Sequence, residues 1–355
     1  MKNICILNGN MSRGGGTERM TQILANLLVE NPEYTVSVLS IENPMGKIFF
    51  HLDERVKVSA LNQGNLIKKI CDLYSFTKKN KIDVLINVDI MLAIYSLPIK
   101  LLNKNIKLVA WEMFNIRNNI GSKHTKIIRQ LSLIFSSYYV CLTKADMNTF
   151  KNEMKCRCPI TYIYNPIDYN MDYDEYLTKS KKIITVGHFF YTKGFDLAVE
   201  VAKKVFDKHP DWIWEFYGDG VELEKIKAMV KKYNMTKNII FAGRTNDILS
   251  VYMQGSLYVM TSRTEGFGLV LTEAKSCNLP TLAFDVEFGP AEIIEDGISG
   301  YLVKPFDCEE MANKICYLIE NPSIRREFSR HAKDNLETFS IDKFRQDWEF
   351  VLNHL

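Results

Sequence analysis

Twice along this chain, short aliphatic and β-branched runs alternate with stretches of helical apolar spacing, and that alternation most narrows the folds open to it. The first series opens with "ICIL", then "TERMTQILANLLVEN", in which Met20, Ile23, Leu24, Leu27 and Leu28 keep helical spacing, then "YTVSVLS". It continues through "RVKVSAL", "LIKKICDLYSFTKK", "DVLINV", "MLAIYSLPIKLL", "IKLVAW", "KIIRQLSLIF" and "YYVCLT". A second series starts at "KIITVG" and runs through "FDLAVEVAKKVF", "WIWEFYG", "ELEKIKAMVKKY", "NIIFAG", "DILSVYMQG", "SLYVMTS" and "LVLTEAKSC" to "TLAFD". Each series predicts a mostly parallel, doubly wound α/β sheet with helices on its faces, so the chain is expected to hold two Rossmann-like domains facing a cleft. The expected boundaries are 1–168 for the first domain, 169–181 for a polar linker and 182–338 for the second. Residues 339–355 should form a helix whose Ile341, Phe344, Trp348, Val351 and Leu355 share a face that packs back on the first domain.

Length agrees with this division, because 355 residues exceed what one ordinary core accommodates. With 46% hydrophobic and 25% charged residues and no low-complexity tract, the composition is that of a globular protein. The apolar stretch "LSLIFSSYYVCL" is too short to span a bilayer, and the amino terminus lacks the apolar core of a secretory signal. Eight scattered cysteines read as reduced thiols of a cytoplasmic protein. Cys156 and Cys158 have no second pair beside them, so no metal site is expected. The net charge of +3 hides an asymmetry: residues 1–165 carry 22 Lys and Arg against 12 Asp and Glu, leaving 23 against 30 in the remainder. The first half is therefore suited to an anionic surface or substrate. No nucleic-acid partner is expected.

In open α/β sheets, ligands bind outside the carboxyl ends of the strands, so the loops after strands hold the candidate chemistry. After the first strand, Gly14, Gly15 and Gly16 open a helix that Thr17 can cap, and exposed amides there attract phosphate. The segment has neither the dinucleotide nor the P-loop spacing. In the second half, "TVGHFFYTKGF" puts His188 and Lys193 on the loop after the first strand, where a lysine can neutralise a departing diphosphate. "YGDG" marks a tight turn at Gly218 and Gly220, read as structural. In "RTEGFGLVLTE", Glu265 falls on a loop and Glu273 about one turn inside the following helix, with anion-binding first-turn amides around Gly268, Leu269 and Val270 between them. Hydroxyls at both ends and phosphates in the middle match a nucleotide sugar.

The ordered set "GGTERM", "YNPID", "VGHFFYTKGF", "YGDGVELEKI", "FAGRTNDI", "TSRTEGFGLVLTEAKSCNLPTLAFD" and "GPAEIIEDGISGYLV" spans nearly the whole chain. It resembles the retaining glycosyltransferases of the GT-B fold, family 4 of that classification. Glu265 to Glu273 corresponds to the family's E-x7-E element. The resemblance implies that Glu265 contacts donor-sugar hydroxyls near the reacting carbon, that Glu273 binds the ribose and that Lys193 holds the diphosphate. It implies that the amides of Gly266, Phe267, Gly268, Leu269 and Val270, with those of Gly15 and Gly16, line phosphates and sugar, and that Arg244 and Thr245 lie near the base. Two positions depart from it. His188 stands where the family usually has an arginine, and Met113 in "WEMFN" stands where relatives often place a histidine that reaches the donor sugar. Glu112 or Asn115 is expected to take over that contact, or activity is reduced.

The implied reaction is transfer of a hexose or N-acetylhexosamine from a UDP-sugar to a saccharide acceptor, undecaprenyl-diphosphate-linked, in bacterial surface polysaccharide synthesis. The implied mechanism requires neither cofactor nor metal; the "DYD" at 172–174 reads as solvent-exposed charge. The basic, partly apolar helices "NLIKKICDLYSFTKKNK" and "SKHTKIIRQLSLIF" suit the anionic inner face of the cell membrane. A catalytically weak partner subunit of another transferase and a sugar-nucleotide epimerase on a related fold are the alternatives.

Overall fold

The computed structural model describes residues 1–42, 47–119, 124–167, 176–177, 179–245 and 247–355. The chain divides into two units, one comprising Met1–Asn165 with Asp342–Leu355 and the other Pro166–Ile341. The "DYD" triplet and most of the expected linker lie outside the described residues. What is described of that linker is anchored to the second unit, where the Tyr176 hydroxyl donates to the Ser256 carbonyl at 2.6 Å.

Unit 1 holds a seven-stranded parallel sheet of β1 (Lys2–Asn8), β2 (Tyr34–Ser40), β3 (Lys57–Ala60), β4 (Val84–Val88), β5 (Lys107–Trp111), β6 (Tyr138–Cys141) and β7 (Ile160–Tyr162). The intervening helices are α1 (Gly16–Leu28), α2 (Leu66–Lys79), α3 (Ala93–Leu102), α4 (Thr125–Phe135) and α5 (Lys144–Glu153). The strand order β3-β2-β1-β4-β5-β6-β7 reverses direction between β1 and β4. Successive crossovers run outward on either side of that point, so the loops after β1 and β4 are left flanking a crevice at the sheet's carboxyl edge. Central strands such as β4 are buried along their whole length, which explains their unbroken aliphatic sequence.

Unit 2 repeats the plan with β8 (Lys182–Val186), β9 (Ile213–Tyr217), β10 (Ile239–Gly243), β11 (Leu257–Met260), β12 (Thr281–Phe284) and β13 (Gly300–Val303). Its helices are α6 (Phe195–Lys208), α7 (Leu223–Lys232), α8 (Ile248–Gln254), α9 (Leu269–Ser276), α10 (Pro290–Ile293), α11 (Cys308–Glu320) and α12 (Pro322–Arg330). The parallel order β10-β9-β8-β11-β12-β13 reverses between β8 and β11. Its core gathers Ile183, Trp214, Phe216, Val259 and Leu282 from one sheet face with Val199 of α6 packed on it.

The last helix, α13 (Ile341–Asn353), belongs to unit 1 through its apolar face. Trp348 is fully buried, edge-on to Trp111 at 4.8 Å between ring centroids, and Phe344 lies 6.0 Å from the same ring. Burying one such indole contributes on the order of 3 kcal/mol. Lys2 adds a bond to the Leu352 carbonyl at 2.7 Å. Among the described residues no helix is long and apolar enough to cross a membrane.

Candidate active site

The reversal point of unit 2 brings the loops after β8 and β11 side by side, and each delivers one sequence-predicted residue to the same place. After β8 the chain forms a single 3-10 turn at Tyr191–Lys193 and enters α6 through Gly194, whose φ is 64°. A Cβ on Gly194 would lie 2.0 Å from the Thr261 carbonyl oxygen, so only glycine lets the two loops approach this closely. The Thr261 hydroxyl donates to the Gly194 carbonyl at 2.9 Å and locks the approach. From there the Lys193 ammonium reaches both oxygens of Glu265, at 2.7 and 2.8 Å. Glu265 is only 7% exposed, so its charge is held in a low-dielectric site by a lysine that keeps partial contact with solvent. The two groups assigned to sugar and diphosphate thus form one ion pair.

Beyond Glu265 the chain passes Gly266 and Phe267 and starts α9 at Gly268, with φ 102°. The first closing bond runs from the Leu271 amide to the Gly268 carbonyl at 2.8 Å, which leaves the amides of Gly268, Leu269 and Val270 without carbonyls inside the helix. The Phe267 ring packs inward against Phe339 at 5.4 Å, so that residue's backbone alone faces outward chemistry. Glu273 lies one turn into α9, and its Oε2 accepts from the Tyr252 hydroxyl at 3.2 Å. Tyr252 in turn packs edge-on against Tyr258, at 5.6 Å. Both phenols are fully buried and held well above their usual range, Tyr252 by burial and then Glu273, Tyr258 by burial and then Glu265. Both stay neutral, Tyr252 donating to Glu273 and Tyr258 to the Val186 carbonyl at 3.4 Å. Neither tyrosine was singled out in the sequence, because a tyrosine inside a helix or a strand looks like ordinary core.

Two residues past Glu273, Lys275 is fully buried and donates to the Ile293 carbonyl at 2.6 Å and to the Ser299 hydroxyl at 3.1 Å. This ties α9 to the end of α10 and to the loop after it. Burial pushes the ammonium down to about 8. The unfolded chain holds that proton more tightly, so the folded state carries the full penalty below pH 8 and recovers stability as pH rises toward about 10. Lys275→Met removes the group at similar volume. Its stability relative to the parent protein is therefore expected to fall by about 2 kcal/mol between pH 7 and pH 9.5. Urea unfolding of both proteins at the two pH values checks this, and a difference that does not change with pH would refute it.

His188 and Arg244 are brought together through a residue that the sequence did not flag. The Asp219 carboxylate lies 3.4 Å from His188 Nδ1 and 2.8 Å from Arg244 Nε, in a partly exposed polar chain. Arg244 first, then His188, holds the Asp219 carboxyl below its usual range. The signal was present in "YGDG". At Gly218, with φ 130°, a Cβ would fall 1.9 Å from the Gly187 carbonyl, so the glycines shape the turn and the aspartate between them faces His188. The Thr245 hydroxyl accepts from the Asp247 amide at 3.0 Å, forming a local turn.

Unit 1 departs from expectation at three places. Helix α1 begins at Gly16 with Gly15 as its cap, so Thr17 lies inside the first turn and does not cap it. The Gly15 amide donates to Glu18 Oε2 at 3.1 Å, so the carboxylate three residues on occupies the group expected to meet a phosphate. Glu112, expected as a sugar contact, is instead engaged inside unit 1. It is fully buried, with Oε2 accepting from Arg129 Nε at 2.7 Å and from the Tyr139 hydroxyl at 3.1 Å, and Oε1 from the Phe114 amide at 3.2 Å. Asn115 is likewise buried as a turn former, its Oδ1 accepting from the amides of Arg117 and Asn118 at 2.9 and 3.0 Å. Met113, between them, is buried too. A group the sequence missed, Asp89, follows β4 at the reversal point with φ 107°; burial, with Glu112 and Glu18 nearby, raises its carboxyl to about 6.

Residues 174–335 match the family described as glycosyl transferases group 1. A glycosyltransferase of Haemophilus influenzae is 32% identical over 361 residues, covering 99% of this chain and all of the relative. The amylovoran biosynthesis glycosyltransferase AmsD of Erwinia amylovora is 25% identical, with 99% of this chain and all of that protein aligned. Among solved structures, a mutant of S. aureus TarM in complex with fondaparinux, alpha-GlcNAc-glycerol and UDP superposes with a TM-score of 0.82 at 17% identity, covering 100% of this chain and 99% of that one. Strand order, loop chemistry and full-length similarity converge: the chain belongs to the group 1 glycosyltransferases, with the two parallel-sheet units of the GT-B fold.

Proposed function

We propose that this enzyme is a retaining glycosyltransferase that moves a hexose or N-acetylhexosamine from a UDP-sugar to a lipid-linked saccharide in bacterial surface polysaccharide synthesis. The observation that carries the reading is the Lys193–Glu265 pair at the reversal point of unit 2, with the α9 amides and Glu273 following within one helical turn. Lys193 and those amides supply positive charge where a diphosphate would leave, and Glu265 supplies acceptors for sugar hydroxyls beside it. As the anomeric carbon–phosphate oxygen bond breaks, the acceptor hydroxyl bonds to the same face of the sugar and its proton passes to the departing phosphate oxygen. No covalent intermediate on the protein and no metal is needed for that balance. AmsD's name supports the polysaccharide setting, and the UDP bound to TarM supports the donor class.

The acceptor side of the proposal rests on unit 1. On α4, Ile127, Leu131 and Phe135 recur at four-residue spacing and remain 58%, 39% and 41% exposed; the first two line a groove of about 300 Å³ with Lys126, Gln130, Glu153 and Met154. Exposed apolar anchors on a half of the chain with excess Lys and Arg suit an anionic bilayer that carries the acceptor.

The test measures transfer from a panel of UDP-sugars to saccharides presented free and on anionic vesicles carrying a polyprenyl-diphosphate acceptor, alongside UDP affinity by calorimetry. Turnover is expected with one UDP-sugar, faster on vesicles. Glu273→Ala is expected to weaken UDP binding about tenfold by removing a ribose contact. Neither transfer nor donor hydrolysis from any UDP-sugar, together with unchanged UDP affinity in the variant, would end the proposal.

A further inference from the structure

Lys193 stands on a flexible stem at the end of a three-residue turn, yet its ammonium is held against both oxygens of Glu265. A side chain outside every assigned role accounts for this. Arg263 Nη1 donates to the Tyr191 carbonyl at 2.9 Å, and its two Nη atoms meet the two Asp196 oxygens at 2.7 Å each. The guanidinium lies 4.0 Å from the centre of the Tyr191 ring, and the Arg263 amide donates to the Thr192 carbonyl at 2.7 Å. Tyr191 and Thr192 precede Lys193 and Asp196 follows it, so one guanidinium grips the chain on both sides of the lysine. Glu265 is two residues beyond Arg263 on the same loop. The clamp therefore fixes both members of the ion pair relative to each other. The planar fork of arginine is required for a bidentate carboxylate bond combined with ring stacking, and the ammonium of a lysine supplies neither geometry.

We propose that Arg263, with Asp196, is a positioning pair that presents Lys193 at one place, and that it thereby sets the preference of this site for a nucleoside diphosphate over the monophosphate. The inference rests on the proposed role of Lys193 as the diphosphate contact. A charge fixed beside the outer phosphate discriminates between the two ligands, whereas a lysine free to sweep through solvent is screened and discriminates less.

The experiment measures UDP and UMP affinity by calorimetry on the full chain and on Lys193→Gln, Arg263→Lys, Asp196→Asn and the Lys193→Gln/Arg263→Lys double variant, with circular dichroism as the check on folding. Arg263→Lys and Asp196→Asn are expected to lose about tenfold in UDP affinity while UMP affinity stays within about twofold. In the Lys193→Gln background, Arg263→Lys should add no further loss. Equal loss of UDP and UMP, or losses that add in the double variant, would show that Arg263 merely supports the fold and overturn the proposal. Asp196→Asn, which keeps shape and one hydrogen bond, provides the reading if Arg263→Lys does not fold. An unchanged UDP preference in Lys193→Gln would instead overturn the diphosphate role of Lys193, and the positioning proposal with it.

Discussion

Lys193→Gln is expected to lower the rate of sugar transfer at saturating donor by about a hundredfold or more, the range seen when one preorganised charge stabiliser is removed from a transition state. The reason is local. The structure holds the Lys193 ammonium within 3 Å of Glu265, and a glutamine amide can still donate to that carboxylate but carries no charge toward a departing phosphate. The loss should appear mainly in kcat, because the leaving group gains negative charge as the bond breaks. Stability should change by only about 1 kcal/mol, since Glu265 keeps a hydrogen-bond donor and Lys193 is partly solvated. Steady-state kinetics with thermal unfolding separates the two effects. A variant retaining more than a third of parental kcat would remove Lys193 from the chemistry.

The largest effect on folding should come from Arg129→Met, which is expected to destabilise unit 1 by about 3–5 kcal/mol. Arg129 and Glu112 are both buried, and the guanidinium also caps the carbonyls of Asn115 and Ile116 at 2.8 and 3.0 Å. Removing it strands a carboxylate in the core with the Tyr139 hydroxyl and one amide as remaining donors among these contacts. Glu112→Gln in the same chain should restore part of the loss, because the neutral amide no longer needs a counter-charge. Denaturation monitored on Arg129→Met and on the double variant checks both statements. A loss below about 1 kcal/mol in the single variant would mean that Glu112 is not held as a charge. Loss of fold rather than loss of sugar affinity also separates the structural role of Glu112 from the contact role its motif implies.

Much of this fold can be read from spacing. The stretch "LIKKICDLYSFTKK" is α2 residue for residue, and "RTEGFGLVLTE" divides into a loop carrying Glu265 and a helix carrying Glu273. These are local consequences of 3.6-residue and two-residue periods and of glycine at Gly268. The cap of α1 departs from expectation because serine or threonine is the usual signal, and here Glu18, three residues on, satisfies the amide of a glycine. The surroundings of Glu112 are not legible from its neighbours, because nothing beside it in the chain announces Arg129, Tyr139 or full burial.

The amino-acid sequence by itself determined the two doubly wound units and the loops that follow their strands, since each follows from neighbours within a few residues. Tertiary structure alone decided which distant groups meet. Lys193 and Glu265 are 72 positions apart, Tyr252 lies on a different helix from Glu273, and Arg263 reaches across a loop to Asp196. Those meetings depend on the reversal of strand order between β8 and β11 and on how far each loop penetrates the packing. Both are set by the burial of whole sheet faces, a sum over the entire unit that no short window of residues contains.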